Sequence, residues 1–202
     1  MAAVITVANI IIDHFLPYRE LINSKPHSND IVISAIEESG YYKIEAVNQD
    51  KKSHMTILIC SEKANCSLKK DDFMKMISKV DFTVTTDLLI ILGNEIYEKK
   101  TYILQEIANL QTAHEAVYIR AWPYKRFVIP ICSHEEIPKH ILIPTEEVKE
   151  FCKLENLTPS ALPIILESDP PIVWLGGKRG QYVKVEVFSH TAGKAFMIFR
   201  IL

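Results

Sequence analysis

Helical and strand-like hydrophobic patterns alternate along the first 131 residues of the chain. Apolar residues recur every three or four positions in some stretches, and every second position or without interruption in others. These are the periods of helices and strands, respectively. The wholly apolar run 88–92 is typical of a central strand, and Pro17 is expected to bend or interrupt the first helix. The patterns predict helices at 4–24, from Asn29 to a stop at Gly40, at 69–80 and at 99–110. They predict strands at 42–47, 55–60, 88–92, 116–121 and 127–131. The first two strands are expected to pair as a hairpin.

The last third of the chain, from His134 onwards, carries denser local signals. Thr145 stands before two glutamates and is the predicted N-cap of a short amphipathic helix. This helix is expected to end near Glu155, because Asn156 readily adopts the left-handed conformation that stops a helix.

A second short helix and a hairpin are predicted to close the chain. Asp169-Pro170 supplies an N-cap followed by proline at the first helical position, and Gly176-Gly177 ends this helix. Three valines then alternate with charged residues in a strand opened by Gly180. The turn at 189–193 reverses the chain, and 195–202 returns as the second strand.

Many short motifs of this last third fall in the order and at the spacing of a known family. They are Ile137-Pro138-Lys139-His140, Leu162-Pro163, Asp169-Pro170, Leu175-Gly176, Lys178-Arg179-Gly180, Val183-Lys184-Val185, Ser189, Thr191-Ala192-Gly193 and Arg200. This region resembles the C-terminal assembly domain of the fifth-largest subunit shared by eukaryotic nuclear RNA polymerases, a family with shorter archaeal members. The chain departs from the family at Ile164, where arginine is usual, and at Val187 and Phe188, where a basic pair is usual.

The resemblance implies a noncatalytic subunit of a multisubunit DNA-directed RNA polymerase, with no cofactor of its own. It implies an α+β fold with two domains. Residues 1–133 would form an N-terminal jaw domain, a mixed sheet with flanking helices similar to restriction nucleases. Residues 134–202 would form a small α+β assembly domain that docks on the largest subunit. The residues implied at that interface are His140, Pro163, Asp169, Pro170, Gly176, Lys178, Arg179, Gly180, Thr191, Gly193 and Arg200.

The jaw domain bears on the origin of the chain. The archaeal members of the family lack this domain, so the chain resembles the eukaryotic or viral type. Residues 1–133 match cellular jaw sequences poorly, which favours a large cytoplasmic DNA virus of the African swine fever virus kind. The implied location is the virion and host cytoplasm for a viral protein, and the nucleus for a cellular one.

Composition limits how the chain could contact nucleic acid. Its 202 residues are 48% apolar, enough for real cores, and 23 basic residues against 25 acidic ones give a net charge of -2. This is not the balance of a basic nucleic-acid clamp, so any DNA contact must be local and weak at physiological salt. The sequence predicts no signal peptide, no membrane-spanning segment and no zinc site. The cysteines, Cys60, Cys66, Cys132 and Cys152, are too few and scattered for a disulfide framework and are predicted to be free thiols.

Lys99 and Lys100 are the predicted DNA contacts. The resemblance places a helix that faces downstream double-stranded DNA at this point, although the family's Thr-Pro-Ser-Ala motif is replaced by residues 98–101. A helix N-terminus presents free N–H groups to a phosphate, and two lysines add Coulomb attraction. Two solvated lysines at a helix start remain an equal alternative.

Two other functions are left open beside the polymerase subunit. A divalent-metal nuclease would need Asp87, Glu98 and Lys100 to gather around Mg²⁺, but a solvated charge run explains their spacing better. A free-standing transcription adaptor is the second alternative.

Three further motifs have competing interpretations. The basic glycine-rich segment 176–180 is expected to be a turn and not a phosphate loop, because it lacks the rest of that pattern. The aromatic and basic cluster at 120–126 could meet a nucleic-acid backbone, but a polar connection between strands is favoured. Trp174 is expected in the core.

Overall fold

A computed structural model describes residues 2–50, 53–61, 70–99, 101–189 and 193–202 of the chain. The chain divides into two compact units, Met1–Ile129 and Pro130–Leu202. The first comprises α1 (Ala2–Ile10), a π-helical turn (Ile11–Phe15), α2 (Leu16–Tyr18), β1 (Leu21–Asn23), α3 (Asn29–Ser39), β2 (Tyr41–Asn48), β3 (His54–Cys60), α4 (Lys70–Ile77), β4 (Asp87–Leu92), α5 (Asn94–Lys99), α6 (Thr101–Ala113) and β5 (Tyr118–Pro123). The second comprises β6 (Lys139–Ile143), α7 (Thr145–Leu154), β7 (Ile164–Ile165), α8 (Pro170–Leu175), β8 (Tyr182–Ser189) and β9 (Gly193–Ile201). The predicted α+β class is confirmed.

A mixed five-stranded sheet, in the order β1-β2-β3-β4-β5, organises the first unit. β1, β2 and β3 pair antiparallel, whereas β3, β4 and β5 pair parallel. The β2–β3 hairpin is confirmed, and so is the central position of β4, which is buried along its whole length. α4, α5 and α6 pack into one hydrophobic cluster with β3, β4 and β5, and α1 contacts β3 and α3. Because alternate residues of a strand point to opposite faces, burial of every β4 residue requires cover on both faces of the sheet.

The first predicted helix is shorter than its hydrophobic pattern indicated. The helical backbone ends at Tyr18, and Leu21–Asn23 is the edge strand β1, so the helix predicted to extend to residue 24 is wrong at its C-terminal end. Glu20 adopts a positive φ of 56°, which breaks the helical backbone. Pro17, which cannot donate an N–H, lies in α2, two residues after the end of the π-helical turn.

Helix α3 begins one residue earlier than predicted and ends at the predicted glycine. Ser28 and not Asn29 is the N-cap, since its hydroxyl accepts from the backbone N–H of Ile31 at 3.3 Å. Gly40 has a φ of 79° and caps the C-terminus, which confirms the predicted stop.

Of the two elements predicted at 99–110 and 127–131, the first is confirmed and the second is wrong. The helix at 99–110 is α6, which begins two residues later, and a separate helix, α5, precedes it. The apolar positions of both helices bury in one cluster, so the hydrophobic pattern does not reveal the break between them. The strand at 127–131 is absent. Phe127 is buried edge-on against Phe15, with 5.5 Å between ring centroids, and Pro130 lacks the N–H that a ladder requires.

A mixed four-stranded sheet, in the order β6-β8-β9-β7, organises the second unit. Its centre is the predicted C-terminal hairpin, β8–β9, which is confirmed. α7 packs with Ile198 on one face, and α8 packs with Val183 and Ile201 on the other. Trp174 is fully buried, as predicted.

The ends of both helices of the second unit follow the sequence closely. Thr145 is the first helical residue of α7 and Pro144 is the N-cap, so the predicted cap is wrong by one position. The end of α7 at Glu155 and the left-handed Asn156, with φ of 54°, are confirmed. α8 begins at Pro170 after Asp169 and ends at the left-handed Gly176, both as predicted.

The unit boundary yields a prediction about isolated fragments. The contacts divide the chain at 129/130, whereas the sequence placed the division at 133/134. The 3₁₀ turn Ile131–Ser133 contacts α8 and therefore belongs to the second unit. We expect fragment 130–202 to unfold cooperatively and to give a dispersed amide spectrum. Fragment 134–202 is expected to lose about 1 kcal/mol, which lowers the Tm of so small a domain by about 4–8 °C. Equal melting of the two fragments would contradict this role of the turn.

Candidate assembly surface

Three segments of the second unit meet where β9 ends. The N–H of Gly180 donates to the carbonyl of Ile201 at 3.0 Å, and the N–H of Leu202 donates to the carbonyl of Ile165 at 3.0 Å. The N–H of Glu167 donates back to the carbonyl of Leu202 at 2.9 Å. We call the surface formed by 163–167, 178–180 and 200–202 the β9 end. It contains five of the predicted interface residues, namely Pro163, Lys178, Arg179, Gly180 and Arg200.

Helix α8 lies between two segments of the β9 end in the chain, after 163–167 and before 178–180. Asp169 precedes the helix, and its Oδ2 accepts from the N–H of Leu166 at 3.3 Å. Pro170 occupies the first helical position, and Gly176 caps the end with a φ of 77°. These three predicted interface residues therefore have a local structural role, which fixes the chain on both sides of α8.

Gly177 matters for packing in a way that the sequence did not indicate. A Cβ at this position would lie 2.6 Å from Cδ1 of Ile201 and 2.9 Å from Cγ2 of Ile172. Such distances are too short for real contacts, so only glycine lets α8 approach β9 this closely. Gly180 differs, because a Cβ there meets open space and its φ of 85° is what favours glycine.

The two basic side chains of the turn 178–180, Lys178 and Arg179, are exposed. The Arg179 side chain is 80% exposed, and its Nε lies 3.6 Å from Oε2 of Glu167. Burial raises the pKa of Glu167, and the charge of Arg179 offsets this only in part. The backbone N–H of Lys178 donates to Oε1 of Gln181 at 2.8 Å, which holds the turn in place. The basic turn thus directs positive charge towards solvent.

Exposed apolar side chains lie at the same end of the sheet, and the sequence interpretation missed them. Ile164, Leu166 and Leu202 are 50%, 54% and 43% exposed. Exposed apolar side chains in close proximity are typical of protein contact surfaces. The available signal was the uninterrupted apolar run 162–166, since an edge strand can bury only every second side chain.

Arg200 adds an unsatisfied donor to the β9 end. It lies in β9 opposite Ile164 and Tyr182. Its Nε is buried, and no group in the described part of the chain accepts a hydrogen bond from it. A buried N–H without an acceptor costs free energy that a partner can recover.

The remaining predicted interface residues lie elsewhere in the second unit. His140 is in β6 opposite Val185, and its Nδ1 lies 2.6 Å from the carbonyl oxygen of Pro138. Gly193, with a φ of 74°, is at the tip of the hairpin opposite Ser189. The tip is seven residues along β8 from Tyr182, roughly 24 Å at about 3.4 Å per residue. Thr191 lies outside the described residues. The predicted residues therefore do not form one compact group.

The predicted DNA contact Lys99 is not at a helix N-terminus. It lies in the last turn of α5, where its Nζ is 3.2 Å from Oε2 of Glu95. The next helix, α6, begins two residues later at Thr101. Lys100 lies outside the described residues. DNA contact by this pair stays a prediction.

The residues of the nuclease alternative do not come together. Asp87 begins β4, whereas Glu98 lies in α5 beyond the other end of that strand and pairs with Lys125 at 3.0 Å. Asp87 is bound by Arg19 at 3.0 Å and by Arg120 at 2.7 Å. Burial raises the pKa of Asp87, but the charges of Arg120 and Arg19 outweigh burial and lower it. Within the described ranges no group of His, Cys, Asp and Glu could hold a metal ion.

The aromatic and basic cluster at 120–126 is mainly structural. Arg120 and Tyr124 are buried, and the Tyr124 hydroxyl donates to the carbonyl oxygen of Cys60. Residues 120–123 lie in β5, 124–126 form a 3₁₀ turn, and no strand follows at 127–131, so the favoured connection between strands is wrong. The burial of Arg120 and Tyr124 does not suit a nucleic-acid platform either.

Three cysteines lie among the described residues. Cys60, Cys132 and Cys152 are free thiols as predicted, and Cys66 lies outside the described residues. Burial raises the pKa of Cys60 to about 12, so this thiol is unreactive. Among the helices that the structure describes, none combines the length and apolarity needed to cross a membrane.

The chain matches known protein sequences. The family described as RNA polymerase Rpb5, C-terminal domain, matches residues 129–202. The proteins called DNA-directed RNA polymerase RPB5 homolog from the Warthog/Namibia and Tick/Malawi isolates of African swine fever virus are 41% and 43% identical over 112 residues, 55% of this chain and 54% of theirs. DNA-directed RNA polymerase subunit Rpo5 of Methanocaldococcus jannaschii is 43% identical over 63 residues, 31% of this chain and 81% of that protein. The chain thus spans about half the length of the viral relatives that it matches.

Proposed function

The chain belongs to the family of RNA polymerase subunits that includes Rpb5 and archaeal Rpo5, and from this membership we propose that it is a noncatalytic subunit of a multisubunit DNA-directed RNA polymerase. The observation that carries the proposal is the 43% identity to Rpo5 over 81% of the length of that protein. A part this similar in sequence is expected to serve the same kind of assembly.

The second unit docks on the largest polymerase subunit, with the β9 end at the centre of the interface. Three features support this position, namely the exposed apolar side chains, the buried and unsatisfied Nε of Arg200, and the exposed positive charge of Lys178 and Arg179. An apolar centre with a charged rim is the usual composition of a protein interface. Asp169, Pro170 and Gly176 act through the geometry of α8 and support the surface from behind.

The first unit serves as the lower jaw near downstream DNA. Its mixed sheet with helices on both faces suits a jaw domain similar to restriction nucleases, without their chemistry. Asp87 is held by two arginines and is therefore not free to bind a metal ion. Transcription chemistry, with its Mg²⁺, belongs to the large subunits, and this chain binds no cofactor and no membrane.

The location follows from the source of the polymerase. Similarity to the African swine fever virus proteins supports a viral enzyme, found in the virion and the host cytoplasm. A cellular homologue would be nuclear.

Gradient sedimentation and a cleavage assay separate this proposal from its alternatives. In a lysate of cells containing the source polymerase, the chain is expected to sediment with the largest subunit. Sedimentation at the mass of the free chain would favour an adaptor. Cleavage of duplex DNA that depends on Mg²⁺ and is lost in Glu98→Gln, whose side chain is 59% exposed, would favour a nuclease.

The jaw assignment predicts a change in salt dependence. Each phosphate that a lysine neutralises releases about one counterion. Replacing both Lys99 and Lys100 with alanine should therefore reduce the log-log salt slope of polymerase–DNA binding by about one to two units, without a change in base preference. The matched control is Lys149→Ala with Lys153→Ala in α7, which should leave the slope unchanged. An unchanged slope in the Lys99 and Lys100 variant would mean that these two lysines do not contact DNA.

A further inference from the structure

Strand β5 forms one edge of the five-stranded sheet of the first unit. It pairs with β4 on its inner side, where the N–H of Tyr118 donates to the carbonyl of Thr86 at 3.1 Å. Alternate residues of a strand direct their N–H and C=O groups to opposite sides, so Ile119 and Ala121 direct theirs away from the sheet. Such outward groups form a template on which another strand can pair.

The side chain of Gln111 occupies the first part of this edge. Its Oε1 accepts from the N–H of Ile119 at 2.7 Å, and its Nε2 donates to the carbonyl of Val117 at 2.8 Å. One backbone partner is a donor and the other is an acceptor, so a single orientation of the side-chain amide fits both. Two backbone groups that have no partner strand are thereby satisfied.

The amide of Gln111 takes the place that a peptide group of an added strand would occupy. It carries the same pair of groups, a C=O and an N–H, whereas glutamate lacks the donor and lysine lacks the acceptor. Gln111 lies in the last turn of α6. A tight turn, in which the N–H of Val117 donates to the carbonyl of His114 at 3.0 Å, then leads into β5. This short connection holds the amide beside the strand.

Two further features limit strand pairing at the edges of this sheet. Pro123, the last residue of β5 and its next outward position, has no N–H. Within β5, which the structure describes in full, Ala121 then carries the outward N–H that neither Gln111 nor Pro123 removes. At the opposite edge, β1 is only three residues long. Short edge strands and proline are known protections against edge-to-edge association.

We propose that Gln111 prevents β5 from pairing with β5 of a second copy of this chain. Loss of the amide frees the carbonyl of Val117 and the N–H of Ile119. Together with the outward groups of Ala121 they form a continuous row over residues 117–121. A second copy presents the same row, and two identical strands can pair antiparallel about a twofold axis. Self-pairing would compete with assembly into the proposed polymerase, but the protection itself does not depend on that function.

Hydrogen exchange and sedimentation velocity of the full chain test the proposal. In Gln111→Ala, the amide of Ile119 should exchange at least about tenfold faster, because its acceptor is lost. The amide of Tyr118, which is bonded inside the sheet, should keep its exchange rate. The variant should also self-associate as its concentration is raised, with a dissociation constant at least about tenfold below that of the unchanged chain.

Gln105→Ala is the matched control. Gln105 is exposed in the same helix, so this variant should leave both measurements unchanged. Gln111→Lys separates the two effects. It lacks the acceptor, so Ile119 should exchange fast, but its charge opposes edge pairing, so self-association should not exceed that of the unchanged chain.

Circular dichroism should show all three variants folded. Slow exchange of Ile119 in Gln111→Ala would overturn the proposal. Equal self-association of Gln111→Ala and Gln105→Ala, or of Gln111→Ala and Gln111→Lys, would overturn it as well.

Discussion

Replacing Asp87 with asparagine is expected to cost the first unit about 3–5 kcal/mol of unfolding free energy. The carboxylate of Asp87 accepts from Arg19 and, with both oxygens, from Arg120. Neutralising it leaves two guanidinium groups buried beside each other without a counter-charge. Removing one member of a buried ion pair is costly for this reason, whereas an exposed pair contributes about 0.2–1 kcal/mol.

Denaturant unfolding of the full chain measures this loss. The matched control is Glu95→Gln, which breaks the exposed Glu95–Lys99 pair and should change stability by less than about 1 kcal/mol. A similar small effect for Asp87→Asn would mean that the buried cluster does not hold the unit together.

The same carboxylate predicts the direction of the pH dependence. The folded-state pKa of Asp87 is lowered, since its two arginine partners outweigh its burial. Its contribution is therefore fully present above the unfolded pKa of about 3.9 and is lost as pH falls below that value through the folded pKa. Asp87→Asn should lack this part of the acid sensitivity.

The second large effect is expected for polymerase assembly. Aspartates in place of Ile164 and Leu166 would bury two unpaired charges in the proposed interface. At several kcal/mol for each, the affinity for the largest subunit should fall by at least about a hundredfold. The measurement is the amount of tagged chain recovered with the largest subunit after expression at equal levels.

Ile22→Asp is the control for this assembly experiment. Ile22 lies in β1 of the first unit and is 55% exposed, about as much as Ile164 and Leu166. This variant should be incorporated normally. Normal incorporation of the Ile164 and Leu166 variant would remove the β9 end from the interface.

Charge reversal at the basic turn distinguishes the rim of the interface from its centre. Lys178→Glu with Arg179→Glu changes exposed side chains, so its effect should be about tenfold and should shrink as salt rises. The apolar-to-aspartate variant should stay defective at any salt concentration. A reversed pattern would place the apolar residues at the rim.

Local signals predicted the second unit well. Pro170, Gly176 and Asn156 act through their own backbone geometry, which neighbouring sequence determines, and α7, α8 and the hairpin lie where these residues place them. The exposed apolar residues of the β9 end were harder to predict. Ile164 and Leu166 are exposed only because β7 is a short edge strand, and that depends on the order of strands in the sheet.

Errors in the first unit occur where tertiary contacts override local pattern. Leu21 continues the apolar spacing of the first helix, yet it pairs with Asn48 as part of β1. Phe127 has the character of a strand residue, but it packs on Phe15 after the sheet has ended. Arg120 belongs to a basic cluster in the sequence, and only the fold shows that Asp87 neutralises it.

Quantitative copurification tests the central claim most directly. A tagged chain is expressed at its natural level with the polymerase of its source, recovered at high salt, and quantified against the largest subunit by mass spectrometry. An apolar interface is not screened by salt. We expect one copy of the chain for each copy of the largest subunit. Recovery of the chain alone, or in a small and variable ratio, would contradict its role as a polymerase subunit.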